Sequence, residues 1–207
     1  MAEYETEEQQ VEALKEWWKQ NGLAVIGGAV LGISALLGWR GWNVHQDNKA
    51  NEASEIFAVV QEAAGKNDAN SLLEQTNILR TDYSSTPYAS LAVLHQAKSQ
   101  TEQGDNTAAE ESLRWVLSNS KQDTVQNVAR IRLARLLLAE NKLDDAQAMI
   151  NAGMSDAYKS LVNEIRGDIF VAKGEVDKAK QAYDEAMLSA NGGGVEYLQL
   201  KRNDLGS

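Results

Sequence analysis

The chain predicts an all-α protein: one N-terminal transmembrane helix followed by an α-solenoid of stacked helical hairpins. Three observations carry that prediction. Residues 23–39, LAVIGGAVLGISALLGW, contain no charged side chain and no proline. Pro87 is the only proline in 207 residues, and Ala, Leu, Glu, Gln and Lys are abundant, which favours helix throughout. From Pro87 onward a turn, an alanine and an apolar residue recur at spacings of 37 and then 33 residues, close to the period of paired-helix repeats.

The apolar run comes first. Extended over residues 22–42 it gives roughly 31 Å of helix, enough to cross a hydrocarbon core about 30 Å thick. Trp17 and Trp18 precede it, and Trp39 and Trp42 follow, where aromatic rings favour the headgroup level. Lys19 and Arg40 reach the interface with their long stems. A cleavable signal peptide needs a cationic start, but residues 1–21 carry Glu3, Glu5, Glu7, Glu8, Glu12 and Glu16 against Lys15 and Lys19. The run also leaves through bulky Trp39-Arg40-Gly41-Trp42 rather than a small-residue cleavage site. A buried core helix has little use for so long and uniform an apolar stretch. Lys15 and Lys19 on one side balance Arg40 and Lys49 on the other, so charge alone leaves the orientation open. Gly28 and Gly32 form a GxxxG pair, expected to meet another membrane helix.

Composition narrows the rest. The formal charge is −10, which repels phosphate backbones and disfavours both nucleic acid and anionic lipid surfaces. There is no cysteine, so disulfides and thiolate metal sites are excluded.

The elements follow in order. Residues 1–21 form an acidic segment that becomes helical by Glu8, with Val11, Leu14 and Trp18 on one stripe. Residues 43–86 hold membrane-proximal helices, with Ile56, Val59, Val60 and Ala63 on one face. Gly65-Lys66-Asn67-Asp68 stops the first, and a second helix spans about 70–82. Ser84-Ser85-Thr86 is a turn, and Pro87 suits the first turn of the next helix. Residues 43–86 read as an atypical terminal repeat.

Residues 87–207 then repeat. The turns Gly104-Asp105-Asn106, Asn141-Lys142-Leu143 and Gly174-Glu175-Val176 lead to Ala109, Ala146 and Ala179, followed by Leu113, Ile150 and Tyr183. Small residues belong where two helices cross: Ala97 with Ala109, Ala134 with Ala146, and Gly167 with Ala179. Val93, Leu133, Leu137, Phe170 and Ala186 fill the space around them. This is a tetratricopeptide-like pattern, with a generic helical bundle as the competing reading. Gln96, Gln100 and Arg166 stand where the pattern prefers apolar side chains. Asn191-Gly192-Gly193-Gly194 reads as a helix stop before a capping helix, Val195 to Arg202.

Catalytic chemistry finds no constellation. His45 and His95 lack a second ligand at helical spacing, and no phosphate loop, dinucleotide fingerprint or nucleophile elbow occurs. The pairs Glu110/Glu111 and Asp144/Asp145 read as solvated. No cofactor is implied, and an enzyme is not expected. What remains is binding surface. The first helix of each unit lines a groove through Leu91, Leu94, Lys98 and Thr101; Val128, Ile131, Arg135 and Leu138; and Leu161, Glu164, Asp168 and Val171. The competing expectation is that the helix carrying Ile56, Val59 and Val60 fills that groove itself.

The full chain also resembles a known family. EYETEEQQVEALKEWWKQNG leads into a glycine-rich span that ends in LLGWRGWNVHQ, and a cysteine-free repeat domain follows. That layout, most specific over residues 4–46, resembles the YfgM family of ancillary subunits of the bacterial SecYEG translocon. The resemblance implies a single-pass inner-membrane protein with a cytoplasmic N-terminus and a periplasmic domain. It implies SecYEG and the periplasmic chaperone PpiD as partners, and a scaffold that helps pass translocated client proteins to periplasmic chaperones. It offers no catalytic residues. The alternative function is a regulatory tether that sequesters a stress-signalling protein through the tail or the soluble domain.

Overall fold

The computed structural model describes residues 7–190 and 194–206, and these are helical with no strand among them. The helices are α1 (Glu7–Gly65), α2 (Ala69–Asp82), α3 (Pro87–Glu102), α4 (Asn106–Asn119), α5 (Asp123–Ala139), α6 (Leu143–Asn151), α7 (Lys159–Ala172), α8 (Val176–Leu188) and α9 (Val195–Asn203). A 3₁₀ turn, Asp156–Tyr158, precedes α7. Glu3, Glu5 and the glycine-run positions Asn191, Gly192 and Gly193 lie outside the described residues. The chain divides into two units, Met1–Lys49 and Ala50–Ser207.

In the first unit the apolar side chains have no protein to pack against. Leu23 is 89% exposed and Leu31 73% exposed, and Ile33, Leu36, Leu37 and Trp39 are exposed with them. Among the described residues α1 is the helix long and apolar enough to cross a membrane. Water does not stabilise such a surface, whereas hydrocarbon does.

In the second unit the helices pair into hairpins, and one turn geometry recurs. Asn67, Gly104, Asn141 and Gly174 each take a left-handed conformation, with φ of 56°, 80°, 60° and 73°. The amide three positions past each helix then returns to a carbonyl five residues back: Asp68 to Ala63, Asp105 to Gln100, Lys142 to Leu137, and Glu175 to Phe170, at 2.8–2.9 Å. This six-to-one bond satisfies a carbonyl that the helix end leaves free. The turn between α1 and α2 shares this geometry with the three later ones, so the portion of α1 from Ala50 onward forms a hairpin with α2. Asp68 and Asp105 also cap the helices that follow, accepting from the amides of Ser71 and Ala108 at 3.1 Å.

Packing follows the small residues. Ala97, Ala109, Ala134, Ala146 and Ala179 are buried at helix crossings, with Val93, Leu113, Leu133, Leu137, Ile150, Ile165 and Ile169 around them. At Gly167 a Cβ would stand 2.4 Å from Tyr183 Cε1, so only glycine lets α7 and α8 meet there. Phe170 is partly buried at the edge of the last cluster, with Ala179, Tyr183, Ala186 and Leu198 inside it. The polar residues that departed from the repeat pattern are accommodated differently. Gln100 accepts from Ser112 Oγ at 2.8 Å, Arg166 donates to Asn163 Oδ1, and buried Gln96 leaves Oε1 without a partner.

The helix portion carrying Ile56 and Val60 does not enter the groove. Val60 and Ala63 join a cluster with Leu72, Leu79, Ala89 and Ala92, and Ile56 and Phe57 pack against it. The Phe57 ring lies 5.6 Å from Tyr88 and 5.9 Å from His95, which places this portion beside α3; Val59 is exposed.

Candidate functional site: a groove across α3, α5 and α7

The open surface formed by the first helices of successive hairpins contains a hollow of about 480 Å³ between α3 and α5. Ala97, Leu113, Leu136 and Ala139 supply its apolar lining, and Lys98, Thr101, Glu102, Arg132 and Arg135 supply the polar part. Lys98 is exposed, with its ammonium 3.5 Å from Glu102 one turn later. Thr101 donates its hydroxyl to the Ala97 carbonyl one turn back at 2.9 Å. Arg132 donates to the Leu94 carbonyl at 2.9 Å and so ties α5 to α3. Burial lowers the Arg132 pKa, yet a guanidinium keeps its charge in a protein. His95 sits beside it; burial first, then Arg132 and Lys98, lower the imidazole pKa and hold it neutral.

Toward α7 the surface turns acidic and is already occupied by this chain. Arg135 donates to Glu164 Oε2 at 3.2 Å. Lys201, from α9, donates at 2.9 Å to Glu164 Oε1 and to both oxygens of Asp168. Tyr183 donates to Asp168 Oδ1 at 2.6 Å. Burial works to lower the Lys201 pKa, but the hydrogen bonds to Asp168 and Glu164 outweigh it and raise the value. Tyr183 is pushed upward by burial and then by Asp168, so it remains a hydrogen-bond donor.

The sequence-predicted positions therefore divide. Lys98, Thr101 and Arg135 come together around the hollow. Leu94 and Ile131 are 7% and 5% exposed and belong to the core beneath it, with Leu138 packed partly against that core. Glu164 and Asp168 lie on the neighbouring surface but are bonded to Arg135 and Lys201. Leu161 and Val171 are exposed on α7. Gly28 and Gly32 stand one above the other on α1, and no atom lies within 4 Å of a Cβ placed at either.

Sequence reasoning missed Lys201 and Arg132. Lys201 follows Asp168 by 33 residues and Glu164 by 37, which is one repeat length. Opposite charges one repeat apart were therefore the available signal. Lys142 also meets Glu110 at 3.0 Å across 32 residues and Lys173 meets Asp144 at 2.8 Å across 29, so these two carboxylates, Asp144 while 97% exposed, bridge adjacent hairpins. Lys142 and Arg114 hold the Glu110 carboxyl below its ordinary pKa.

The family model described as a tetratricopeptide repeat-like domain matches residues 15–207. A Haemophilus influenzae protein named "Ancillary SecYEG translocon subunit" is 31% identical over 204 residues, covering 96% of this chain and 97% of that protein. The chain belongs to this family. An Escherichia coli K12 member of the same name is 30% identical over 205 residues, covering 98% of each chain. A Neisseria gonorrhoeae member is 29% identical over 211 residues. No solved structure matches the chain. The family names and the repeat-like fold indicate a non-catalytic adaptor. His45 is exposed and His95 packs on Phe57.

Proposed function

We propose that this protein is a membrane-anchored scaffold ancillary to the SecYEG translocon. The observation that carries the reading is similarity over nearly the whole chain, span included, to proteins named for that role. Two features support it. An apolar helix with its side chains uncovered needs lipid around it, which keeps the repeat unit at a bilayer. A hollow with an apolar floor and a rim of Lys98, Arg132 and Arg135 against Glu102 suits an amphipathic polypeptide segment bearing acidic side chains.

In this reading the N-terminal segment is cytoplasmic and the repeats are periplasmic. Gly28 and Gly32 offer a close-approach face to a translocon or chaperone helix. The hollow at α3 and α5 holds either a translocated client or PpiD, so that clients pass from the channel to periplasmic chaperones. Repeat surfaces act by holding partners, and nothing in the reading calls for a turnover step.

Solubilising membranes in mild detergent and isolating the tagged full chain tests the proposal. SecYEG and the PpiD chaperone are expected to co-purify, and Arg135→Glu with Lys98→Glu should reduce recovery of the soluble-domain partner while SecYEG remains. Absence of both from cross-linked membranes would overturn the reading.

A further inference from the structure

A second cavity lies away from the groove. It has a volume of about 360 Å³ beneath the connection from α6 to α7, and Asn163, Arg166, Lys159 and Ser155 contribute donors to its lining. Asn163 is 2% exposed, and its amide nitrogen has no hydrogen-bond partner. Arg166 carries only donors, so the atom of Asn163 that it meets is the oxygen, which identifies the nitrogen as the group left over. A buried unpaired donor is costly, and a native structure retains one where something else supplies the acceptor. Arg166 spends one nitrogen on Asn163, and neither Arg166 nor Lys159 makes an ion pair among the described residues. Asn163, Arg166 and Lys159 all line this one space, and two of the three are cationic.

The acidic lining does not neutralise them. Glu185 accepts from Gln181 at 3.1 Å, and Asp156 is exposed at the start of the 3₁₀ turn. Neither lies within ion-pair distance of the cations. At 100° per residue, Lys159, Asn163 and Arg166 occupy the side of α7 roughly opposite Glu164 and Asp168. The cavity is therefore a separate site from the groove. It adjoins a second hollow that shares Gly153 and Ser155, where Arg130 donates to buried Asn127 at 3.1 Å.

We propose that this cavity binds a carboxylate presented by a polypeptide, as its free C-terminus or as an aspartate or glutamate side chain. One oxygen accepts from Asn163 Nδ2 and the other from the open edge of the Arg166 guanidinium, with Lys159 adding charge at the mouth. A charged acceptor suits this set better than a neutral carbonyl, because guanidinium and ammonium both remain uncompensated without it. The proposal does not rest on the groove or on the translocon.

The test uses the full chain in detergent micelles and three probes: N-acetyl-trialanine with a free carboxylate, the same peptide as its C-terminal amide, and N-acetyl-Ala-Asp-Ala amide. The readouts are titration calorimetry and the side-chain amide NMR signal of Asn163, assigned by its loss in Asn163→Leu. Saturable binding of the free-carboxylate peptide with movement of that signal is expected, and no binding of the neutral amide. Binding of the Asp-containing amide as well identifies a side-chain carboxylate as a sufficient ligand, and its failure restricts the site to C-termini. Arg166→Gln is expected to weaken binding at least about tenfold, as loss of a charge-assisted pair does. Lys159→Ala, at an exposed position, gives a smaller weakening without risk to folding. An Asn163 signal that stays fixed with every probe, or binding of the neutral amide as tight as that of the acid, overturns the proposal.

Discussion

Leu31 in the span and Leu137 in α5 are the same residue in the same secondary structure, yet one is 73% exposed and the other 0%. The difference shows that the two units answer to different solvents. Residues 23–39 are apolar on every side, so no orientation of the helix hides them. The α5 helix carries its leucines on faces that α3, α4, α6 and α7 cover, and it keeps Arg132 and Arg135 on the open side. One stretch is left uncovered and is suited to hydrocarbon, and the other is covered by neighbouring helices.

Truncation of the two leucines is the strongest way to break this contrast. Leu137→Ala should cost the repeat unit about 2–5 kcal/mol, the usual range for a buried leucine whose cavity relaxes only partly. Leu31→Ala should leave that stability within about 0.5 kcal/mol. Urea unfolding of the full chain in detergent micelles, followed by the fluorescence of Trp115 after replacement of the other tryptophans, reads both. Equal losses would abolish the distinction.

The glycines sharpen it. Gly167→Ala drives a methyl into the Tyr183 ring, 2.4 Å away, and is expected to cost about 1–3 kcal/mol as overpacking does. Gly28→Ala meets nothing within 4 Å and should leave the repeat unit unchanged, its effect appearing only in contacts between membrane helices. The same unfolding experiment compares them.

A smaller effect is expected at the end of the solenoid. Lys201→Ala leaves Glu164 and Asp168 with fewer partners, and about 1 kcal/mol should be lost, since the ammonium is only partly buried. Amide hydrogen exchange in α9 should accelerate while α5 stays protected.

The smallest effect is a pH dependence. Because the folded-state pKa of His95 is depressed below 6.5, its contribution is complete above that value and is lost as pH falls through the lowered folded value. His95→Gln should flatten the stability profile in that window. As pH falls through the lowered value of Glu110, the loss of its Lys142 and Arg114 bonds should persist in the variant.

Much of the fold was legible because its causes are local. An uninterrupted apolar run, left-handed turn residues at Gly104, Asn141 and Gly174, and an alanine five positions after each of them all appear as patterns in one dimension. Gly167 was readable as the small residue of the third crossing, paired with Ala179, whereas its contact with the Tyr183 ring emerges only in the structure. The candidate site was only partly legible. Leu94 and Ile131 have the right period for a groove, but period alone does not tell the surface of a helix from the layer beneath it, and both are buried. Lys201 closing over Asp168 depends on where α9 returns, which no spacing within α9 reveals. The unpaired Asn163 amide was equally hidden, because it emerges only once Arg166 has claimed the other end of the side chain.

The central claim is that the span and the groove each hold another polypeptide. Photocross-linking in intact membranes, from probes placed at Gly28, Gly32, Lys98 and Arg135 in the full chain, tests it most directly. The account predicts adducts to a membrane-embedded translocon or chaperone helix from the first two positions, and to a soluble polypeptide segment from the last two. Adducts to lipid alone from Gly28 and Gly32, with none from Lys98 and Arg135, would contradict it.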